Sequence, residues 1–413
     1  MPIKREGNRQ SEAFEIQSIQ LESTESSYDI TDTLVSMTIN ESLDGLMSGA
    51  ITINNKIGLF DQRDFGGKDN ILIIKMKSTS KHKPVGKTFE RRFRVTNYSD
   101  KFSNDSNTSF SILGFKSLGT VNNNFHRVSK SYANTGTHAI VSDMLKLIGY
   151  TEKDIKVETT MFNRDIVIPN ITPLETIQFL KQHSISGESK NKGDSDFYFF
   201  ENRDAINFVS RTALLSRDPV AMYNVCLDVD KTEQNIAMSF TLDRGYNIES
   251  QVNSGAYGLT VISHSLMDKS IKHVRALPDG IQSMNEKSAT NIDFDSNYHF
   301  IMATEDQMYQ YQNMSSNGNS IANREISRAR LNEKRAFMNI GADSDITVGD
   351  QITLLVDGAN GQSKNSGKWL VSKIVHTVTK TSWIMELLIV SDGTTITLNN
   401  TQSKPKTKDE KAQ

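Results

Sequence analysis

The residues best suited to chemistry are three aspartates in the stretch DSDITVGD: Asp343, Asp345 and Asp350. Carboxylates spaced along a loop are ligands that Ca²⁺ prefers. The stretch has no glutamate at the twelfth position of a calcium loop, and Ile346 and Val348 look like strand residues within it. The sequence therefore predicts no metal site, although it leaves open whether an ion binds between Asp343 and Asp350.

The stretch GQSKNSGKW, from Gly361 to Trp369, looks at first like a phosphate-binding loop. That loop follows the motif G-x-x-x-x-G-K-[ST], in which the hydroxyl residue binds Mg²⁺. Here Gly361 and Gly367 are one residue too far apart, and Trp369 stands in the place of the hydroxyl residue. A β-hairpin turn explains the same glycines, so we predict a turn and no nucleotide site.

Hydrolytic catalysis needs arrangements that the sequence does not supply in a recognisable motif. The eight histidines are scattered without a His-Glu-x-x-His pair, and Ser263, His264 and Ser265 lack the glycines of a nucleophile elbow. A Ser-His-Asp triad assembled across the fold stays open, because triads are defined by geometry. None of the acidic residues lies in a recognisable apolar pocket that would suit it to acid catalysis. The sequence predicts no catalytic residue, no cofactor and no enzymatic activity.

Two groups of basic residues have the chemistry to contact anions. In ERRFR, Arg92 and Arg94 share one face of a predicted strand, where they would bind a phosphate or a neighbour's carboxylate, or simply face solvent. The stretch NREISRARLNEKR, residues 323–335, is as rich in arginine and lysine as a nucleic-acid-binding helix. Glu325 and Glu333 interleave with these residues, which favours an ordinary helix surface or a subunit contact.

Composition narrows the classes of partner. The 413 residues carry 47 basic and 49 acidic side chains, so no overall field attracts nucleic acid or anionic lipid. The single cysteine, Cys226, excludes an intramolecular disulfide framework and fits a reducing compartment. The start MPIKREGNRQ lacks the apolar core of a signal peptide, and no run approaches the length of a membrane span. We expect protein partners, no specific DNA binding and no membrane anchor.

Alternation of apolar and polar residues dominates the first part of the chain. Period two over several short segments, with no long helix between them, predicts an antiparallel β barrel or sandwich over residues 1–120. The residues assigned to the apolar faces of four strands are Val35, Met37 and Ile39; Ile51 and Ile53; Phe93 and Val95; and Phe110 and Ile112.

Two helices mark a small α/β domain over residues 121–215. The first, THAIVSDMLKLIGY, repeats apolar residues at three- and four-residue steps until Gly149, where a C-terminal cap is expected. The second begins with Thr172, Pro173 and Glu175, which have the spacing of a capping box.

The stretch DFYFFENRDAINFVS, residues 196–210, predicts a β hairpin whose polar turn is residues 201–204. Consecutive side chains of a strand point to opposite faces, so four aromatics in a row mean that both faces are covered. A structural core is the preferred interpretation. The alternative is that Tyr198 and Phe200 stack on a sugar.

Alternation resumes late in the chain. Residues 216–250 and 335–395 predict a second β domain, interrupted by an inserted domain over residues 251–334. Within the insertion, residues 307–334 are the only helical stretch. The tail 396–413 is charged and lacks large apolar residues, so we expect it to be disordered.

The succession of these segments resembles the baseplate hub proteins of contractile-tailed phages of the T-even type, which are related to the amino-terminal part of type VI secretion spike proteins. The segments that carry the resemblance, in order within residues 10–395, are ITPLETIQFLKQHSIS, DFYFFENRDAINFVS, ITVGDQITLL and SGKWLVSKIVHTVTK. Where this chain has Ala205, members of that family often have glycine, which leaves the geometry of that turn open.

The resemblance implies an α+β fold that is mostly antiparallel β, with two similar tube-type β-barrel domains flanking the small α/β domain and the inserted domain added. It implies a homotrimer that forms a pseudo-sixfold ring and adapts the sixfold tail tube to the threefold cell-puncturing spike. Its partners would be the trimeric spike protein, tail tube or tube-initiator proteins, and baseplate wedge proteins. The location would be the virion's tail baseplate, after assembly in the host cytoplasm.

Two other functions stay open at this point. One is a tail-associated protein that binds carbohydrate or degrades peptidoglycan. The other is a secretion-system spike subunit, which would share the fold but would normally continue into a needle-like repeat domain.

Overall fold

The computed structural model describes residues 3–4, 13–23, 26–55, 70–79, 86–103, 108–225, 236–244, 247–264, 269–277, 284–285, 300–304, 317–358 and 361–393. The helices are α1 (Leu118–Asn123), α2 (Thr137–Leu147), α3 (Pro173–His183), α4 (Arg211–Leu215), α5 (Ile248–Asn253) and α6 (Asn317–Leu331). The strands are β1 (Ile3–Lys4), β2 (Phe14–Glu22), β3 (Ser27–Asp29), β4 (Leu34–Ser42), β5 (Ser48–Asn54), β6 (Ile71–Ser78), β7 (Phe89–Ser103), β8 (Thr108–Ser117), β9 (Val128–Gly136), β10 (Ile155–Val157), β11 (Asn163–Ile171), β12 (Phe197–Glu201), β13 (Ile206–Ser210), β14 (Ala221–Val225), β15 (Ser239–Arg244), β16 (Leu259–His264), β17 (Ile271–Ala276), β18 (Phe300–Thr304), β19 (Lys334–Gly341), β20 (Gln351–Gly358), β21 (Gly361–Gln362), β22 (Gly367–Thr379) and β23 (Trp383–Ser391).

One large, mostly antiparallel sheet contains strands from both ends of the chain. Its main path runs β1-β2-β6-β7-β8-β5-β4-β22-β23-β19-β15, with β3 beside β2 and with β14, β20 and β21 attached through β22. We call β2 and β4 to β8 the N-terminal module, and β14, β15 and β19 to β23 the C-terminal module. The predicted fold class is confirmed in that the chain is mostly antiparallel β with few helices. Its division into two similar barrels and the domain boundaries stay predictions.

The two modules meet where β4 pairs with β22. The strands are antiparallel, and Ile39 lies opposite His376 while Met37 lies opposite Val378. Since these strands lie more than 300 residues apart in sequence, their pairing closes a very long loop, which is entropically costly and must be offset by packing.

A single hydrophobic core supplies that packing. It includes buried residues of both modules, such as Phe14 of β2 and Trp383 of β23, whose rings meet edge to face at 6.3 Å. By the usual area coefficient each such buried side chain contributes about 1.5–3 kcal/mol. Aromatic pairs of this geometry add a further increment beyond the area that they bury.

The small α/β unit, made of β9 to β13 with α1 to α4, has a core of its own, to which α2, α3 and the strands contribute. Leu214 and Leu215 of α4 belong instead to the core that the modules share. The capping box predicted at Thr172 and Glu175 is confirmed, with the Glu175 carboxylate 2.8 Å from the Thr172 backbone nitrogen. Gly149 follows α2 at φ 100°, a left-handed conformation that glycine adopts without strain. The predicted hairpin is also confirmed, as β12 and β13.

One residue of the predicted β4 face and the whole predicted face of β8 are wrong, whereas Met37 and Ile39 of β4 are buried as predicted. Val35 is 39% exposed, because a register shift between Leu34 and Ser36 turns Leu34 inward. In β8 the buried apolar residues are Leu113 and Phe115 instead of the predicted Phe110 and Ile112. Apolar residues occupy both faces of β8, so periodicity alone does not decide which face is inside. The pairing of Leu113 with Ile51, which is buried, identifies the inner face of β8.

The inserted segment contains more strand than the sequence indicated. Strands β16, β17 and β18 form a separate sheet, and α6 packs against it through Ala322 and Ile326. The sequence indicated a helix within residues 307–334 but not these strands, because they are short and separated by polar residues. The predicted helical residues 307–316, Cys226 and the tail 396–413 lie outside the described residues.

Within the described ranges, no helix combines the length and the apolar character needed to cross a bilayer.

Two glycines of the β4–β5 turn region provide a matched test of this packing. A Cβ at Gly49 would lie 2.2 Å from the Thr38 carbonyl oxygen and 2.5 Å from the Phe115 ring, whereas a Cβ at Gly45 would meet nothing within 4 Å. We expect Gly49→Ala to lower the free energy of unfolding by about 1–3 kcal/mol, because overpacking forces the backbone apart.

Gly45→Ala is the control and should change stability by no more than about 0.5 kcal/mol. Urea unfolding followed by tryptophan fluorescence measures both. Equal stability of the two variants would contradict the close β4–β5–β8 packing.

Candidate functional site

The turn of the β12–β13 hairpin is shaped by one asparagine. The Asn202 side-chain oxygen accepts hydrogen bonds from the backbone N–H groups of Asp204, at 3.1 Å, and Ala205, at 2.9 Å. The Asn202 backbone nitrogen donates to the Ala205 carbonyl at 3.0 Å. Ala205 is buried and is not among the positive-φ residues, so the geometry of this turn does not require a glycine at that position.

One side of this turn binds the N-terminal module. The Glu201 backbone N–H donates to the Gly45 carbonyl at 3.0 Å, and the Met47 N–H donates to the Glu201 carboxylate at 3.1 Å. The Arg91 guanidinium donates to the Asn202 carbonyl. Burial raises the pKa of Glu201, and the positive charge of Arg91 opposes this rise. The turn is therefore held by backbone contacts as well as by charge.

The other side of the turn binds the C-terminal module. The Arg203 backbone N–H donates to the Thr347 hydroxyl at 3.2 Å, and its guanidinium donates to the Ser344 carbonyl. The same guanidinium makes two 2.9 Å contacts with the Asp204 carboxylate. This pair lies within the turn and holds the Arg203 guanidinium in place, so that it can reach the Ser344 carbonyl of the C-terminal module.

Beside the turn, a buried carboxylate connects the modules directly. Glu41 of β4 accepts hydrogen bonds from the Thr347 hydroxyl at 2.6 Å and from the Val348 N–H at 3.2 Å. Its other oxygen lies 2.9 Å from Nε2 of His376 on β22. The Trp383 indole N–H, which can only donate, lies 3.3 Å from Nδ1 of that ring. Nδ1 is thus the acceptor, and Nε2 carries the hydrogen that points to Glu41.

These four parts form what we call the junction: the turn 201–204, the loop 343–350, Glu41 and His376. Glu41 and His376 are each 1% exposed. Each of their polar atoms described above has a hydrogen-bond partner. In a buried, low-dielectric environment satisfied hydrogen bonds are strong and unsatisfied ones are costly. The arrangement is suited to holding two modules in one relative orientation and not to turning over a substrate.

The three aspartates of the predicted calcium stretch each have a different partner. Asp343 accepts from the Tyr223 hydroxyl at 2.6 Å, Asp345 from the Lys87 N–H at 2.8 Å, and Asp350 from the Thr347 N–H at 3.1 Å. Among the described residues no group of three or more His, Cys, Asp or Glu side chains is arranged to hold a metal ion. The expectation that Ile346 and Val348 are strand residues is wrong, because both are buried in the loop 343–350.

Neither Tyr198 nor Phe200 presents an exposed ring face on the surface of the protein, where a sugar would stack. They are 9% and 0% exposed and belong to the core that both modules share. The alternative function that relied on their stacking therefore loses its structural basis, and the preference for a core hairpin is confirmed.

The remaining candidates serve structural roles in the described residues. The stretch 361–369 contains β21, a turn and the start of β22, and it lies in the hairpin connection between the paired strands β20 and β22, so the predicted hairpin turn is confirmed. Arg92 lies on an outer face, 3.2 Å from Glu22. Ser263 and His264 belong to β16, but their side chains and Ser265 lie outside the description.

In the basic stretch 323–335, two arginines of α6 contact the chain itself. Arg324 donates to the Gln182 carbonyl at 2.7 Å, and Arg328 lies 2.7 Å from the buried carboxylate of Asp196. Burial raises the pKa of Asp196 to about 6 although Arg328 opposes the rise.

A cavity of about 280 Å³ lies between these elements and is lined by Lys181, Tyr198, Arg328 and Asn332, among others. The charges near it are matched, since Lys181 lies 2.5 Å from Asp44 and Arg328 pairs with Asp196. The cavity therefore presents no unbalanced charge to a ligand.

The fold is of the class found in phage tail proteins. The chain matches no protein-family model. Its structure is similar to that of the tail protein from Neisseria meningitidis MC58, with a TM-score of 0.57 at 9% identity, over 92% of this chain and 98% of that one. It is also similar to the Francisella PdpA–VgrG complex, with a TM-score of 0.50 at 10% identity, over 92% of this chain and 53% of that one. Identities this low establish the fold alone.

Sequence similarity specifies the class further. Over 410 residues the chain is 22% identical to the probable baseplate hub protein gp334 of Vibrio phage KVP40, and the alignment covers 92% of this chain and 95% of that protein. The resemblance to phage baseplate hub proteins, predicted from the order of segments, is confirmed.

The junction pair was missed by sequence reasoning, although a signal was present. Glu41 continues the alternation of the buried residues Met37 and Ile39 along β4. His376 lies between buried Ile374 and Val378 along β22 in the same way. A polar residue in phase with the apolar face of a strand indicates a buried polar contact, but only the pairing of β4 with β22 identifies the partner.

Removing the Glu41 side chain tests the junction. Glu41→Ala would leave three buried donors without an acceptor, so we expect the free energy of unfolding to fall by about 2–4 kcal/mol. Glu90→Ala is the control, because Glu90 makes an exposed ion pair with Lys75 at 2.7 Å, and its loss should cost no more than about 0.5 kcal/mol. Urea unfolding compares the two, and similar losses would contradict the role given to Glu41.

A second prediction concerns pH. Burial raises the pKa of Asp350 from its usual 3.8 to about 6, so the folded state holds this proton more tightly than the unfolded chain. The stability contributed by the neutral carboxyl is present at low pH and is lost as pH rises through about 4 to 6. We expect Asp350→Asn to be more stable than the original chain by about 1–3 kcal/mol at pH 7.5.

The difference in stability between Asp350→Asn and the original chain should fall to nearly zero near pH 4, because the carboxyl group and the amide are then both uncharged in the folded state. Urea unfolding at the two pH values measures it, with the exposed Asp357→Asn as the control. A variant that is less stable at pH 7.5 would show that the ionised Asp350 carboxylate stabilises the fold.

Proposed function

We propose that the protein is a structural adaptor in a contractile tail: a homotrimer whose modules form a pseudo-sixfold ring between the sixfold tail tube and the threefold cell-puncturing spike. The observation that carries this proposal is the continuous pairing of the two modules through β4 and β22 around the Glu41–His376 contact. A ring that presents two modules per subunit at equivalent positions needs a fixed angle between them. The junction supplies such a constraint.

The edges of the large sheet favour contact between copies. Among the described residues β15 pairs only with β19 along the main path, and at the other end β1 and β3 flank β2. Open strand edges pair readily with another chain, and a head-to-tail contact that closes on itself removes them all at once. We infer that the β15 edge of one subunit meets the β1–β3 end of the next.

The expected partners follow from the proposed place of the ring between the tail tube and the spike. The trimeric spike, the tail tube or its initiator, and the baseplate wedge proteins would bind the ring in the virion's baseplate after assembly in the host cytoplasm. The similarity to a baseplate hub protein over nearly the whole chain supports this assignment. The junction acts by position alone, so we propose no reaction of the chain's own.

The particle mass tests the ring. The purified chain, examined by light scattering over a range of concentrations, should approach three times its 46.3 kDa mass. Averaged end-on views in negative stain should then show six similar lobes. A particle that stays monomeric at high concentration, or a trimer with only three lobes, would count against the proposal.

A second measurement addresses catalysis. The purified chain is incubated with peptidoglycan, and soluble fragments are quantified beside a lysozyme control. We expect no release above the blank. Turnover without any added partner would overturn the assignment of a purely structural role.

A further inference from the structure

Arg164 occupies an unusual position for a charged residue. It lies near the start of β11 and in phase with Ile166 and Ile168, the two residues that β11 contributes to the core of the α/β unit. It is only 8% exposed, and its Nη1 atom is buried without a hydrogen-bond partner. A buried guanidinium normally has a carboxylate beside it, because burying an uncompensated charge is costly.

Among the residues that the structure describes, no carboxylate pairs with Arg164. Burial lowers the pKa of Arg164, and no acidic side chain opposes that decrease. Arg211 differs from Arg164, because its guanidinium is 1% exposed and lies 3.1 Å from the Asp392 carboxylate. The fold therefore pairs one buried arginine and leaves the other without a countercharge.

The charges of Arg164 and Arg324 both act on a third nitrogen-bearing side chain, His183. Helix α3 packs against β11, and Arg324 of α6 reaches the end of α3, where it donates to the Gln182 carbonyl. The next residue, His183, packs its ring against Phe179 at 5.1 Å. Burial, and then the charges of Arg164 and Arg324, lower the pKa of His183 to about 4. His183 is thus neutral at pH 7 and able to donate one N–H.

The contacts already present account for Arg324 but not for Arg164. Arg324 neutralises the negative end of α3 and pairs with Glu325 at 3.0 Å. Glu325 also lies 3.9 Å from Arg328, so its charge is shared on α6. Neither contact satisfies Arg164, and the local charge remains positive by one guanidinium.

We propose that Arg164, together with Arg324 and His183, binds a small oxyanion where β11, the end of α3 and α6 meet. The ligand is a phosphate or carboxylate group, since a guanidinium matches two oxygens of either in parallel hydrogen bonds. Its source is a free ion or the acidic side chain of another protein. Bound there, it joins the inserted segment to the α/β unit. This inference is independent of the proposed ring.

The first experiment measures anion binding to the full chain. Inorganic phosphate and, separately, acetate are titrated at constant ionic strength with chloride as the balancing ion, and the thermal unfolding midpoint is followed. We expect a saturable rise with at least one of the two anions. A rise with phosphate alone indicates a free ion, and a rise with acetate indicates a protein carboxylate.

Three variants assign the effect. Arg164→Gln should weaken the apparent affinity by at least about tenfold, the usual effect of losing a charge-assisted hydrogen-bond pair. Arg324→Gln should weaken it in the same direction. Arg127→Gln is the matched control, because Arg127 also donates to a backbone carbonyl, that of Asn170 at 3.2 Å, but is exposed. It should bind the anion as the original chain does.

The NMR signal of His183 distinguishes anion binding at this site from a general stabilisation of the fold by the anion. A bound anion offsets the two arginine charges, so the pKa of His183 should rise when the anion is added. The imidazole Cε1 proton signal reports this, and His183→Gln assigns the signal. No saturable rise with either anion, equal anion effects in the chain and in Arg164→Gln, or an unchanged His183 titration would each overturn the site.

Discussion

The hydrogen bond between Glu41 and His376 is the contact on which the arrangement of this molecule depends. It lies in the middle of the β4–β22 pairing, where the main path of the large sheet passes from one module to the other. The carboxylate also holds the loop 343–350, and that loop holds the turn of the hairpin. A buried pair of this kind is weak as a source of stability but strong in specifying one geometry, because each alternative arrangement leaves polar atoms unsatisfied.

The hairpin has a different role from that of a wall around a binding site. Its two strands are buried on both faces, so one face serves the core of the α/β unit and the other serves the core that the modules share. Phe197, Phe199 and Phe208 belong to the first core, and Tyr198, Phe200 and Val209 to the second. Four aromatics in a row are what a strand between two cores requires. The hairpin thus ties the small unit to both modules.

Such an architecture is suited to a part of a larger assembly. Its rigidity comes from hydrophobic cores and buried polar contacts within the chain. Charges are nearly balanced over the chain, which leaves shape and edge pairing, more than long-range attraction, to select partners. The similarity to a baseplate hub protein over nearly the whole chain is consistent with that role.

The sequence by itself determined the local elements: the capping box at Thr172, the end of α2 at Gly149, the hairpin around Asn202 and the alternation of the long strands. These features depend on interactions within a few residues, so spacing and residue type are enough to reveal them. Which face of β8 is buried, that Leu34 replaces Val35 inside, and that Glu41 meets His376 were decided only by the tertiary structure. Each depends on a strand distant in sequence, and periodicity carries no information about the partner against which a face will pack.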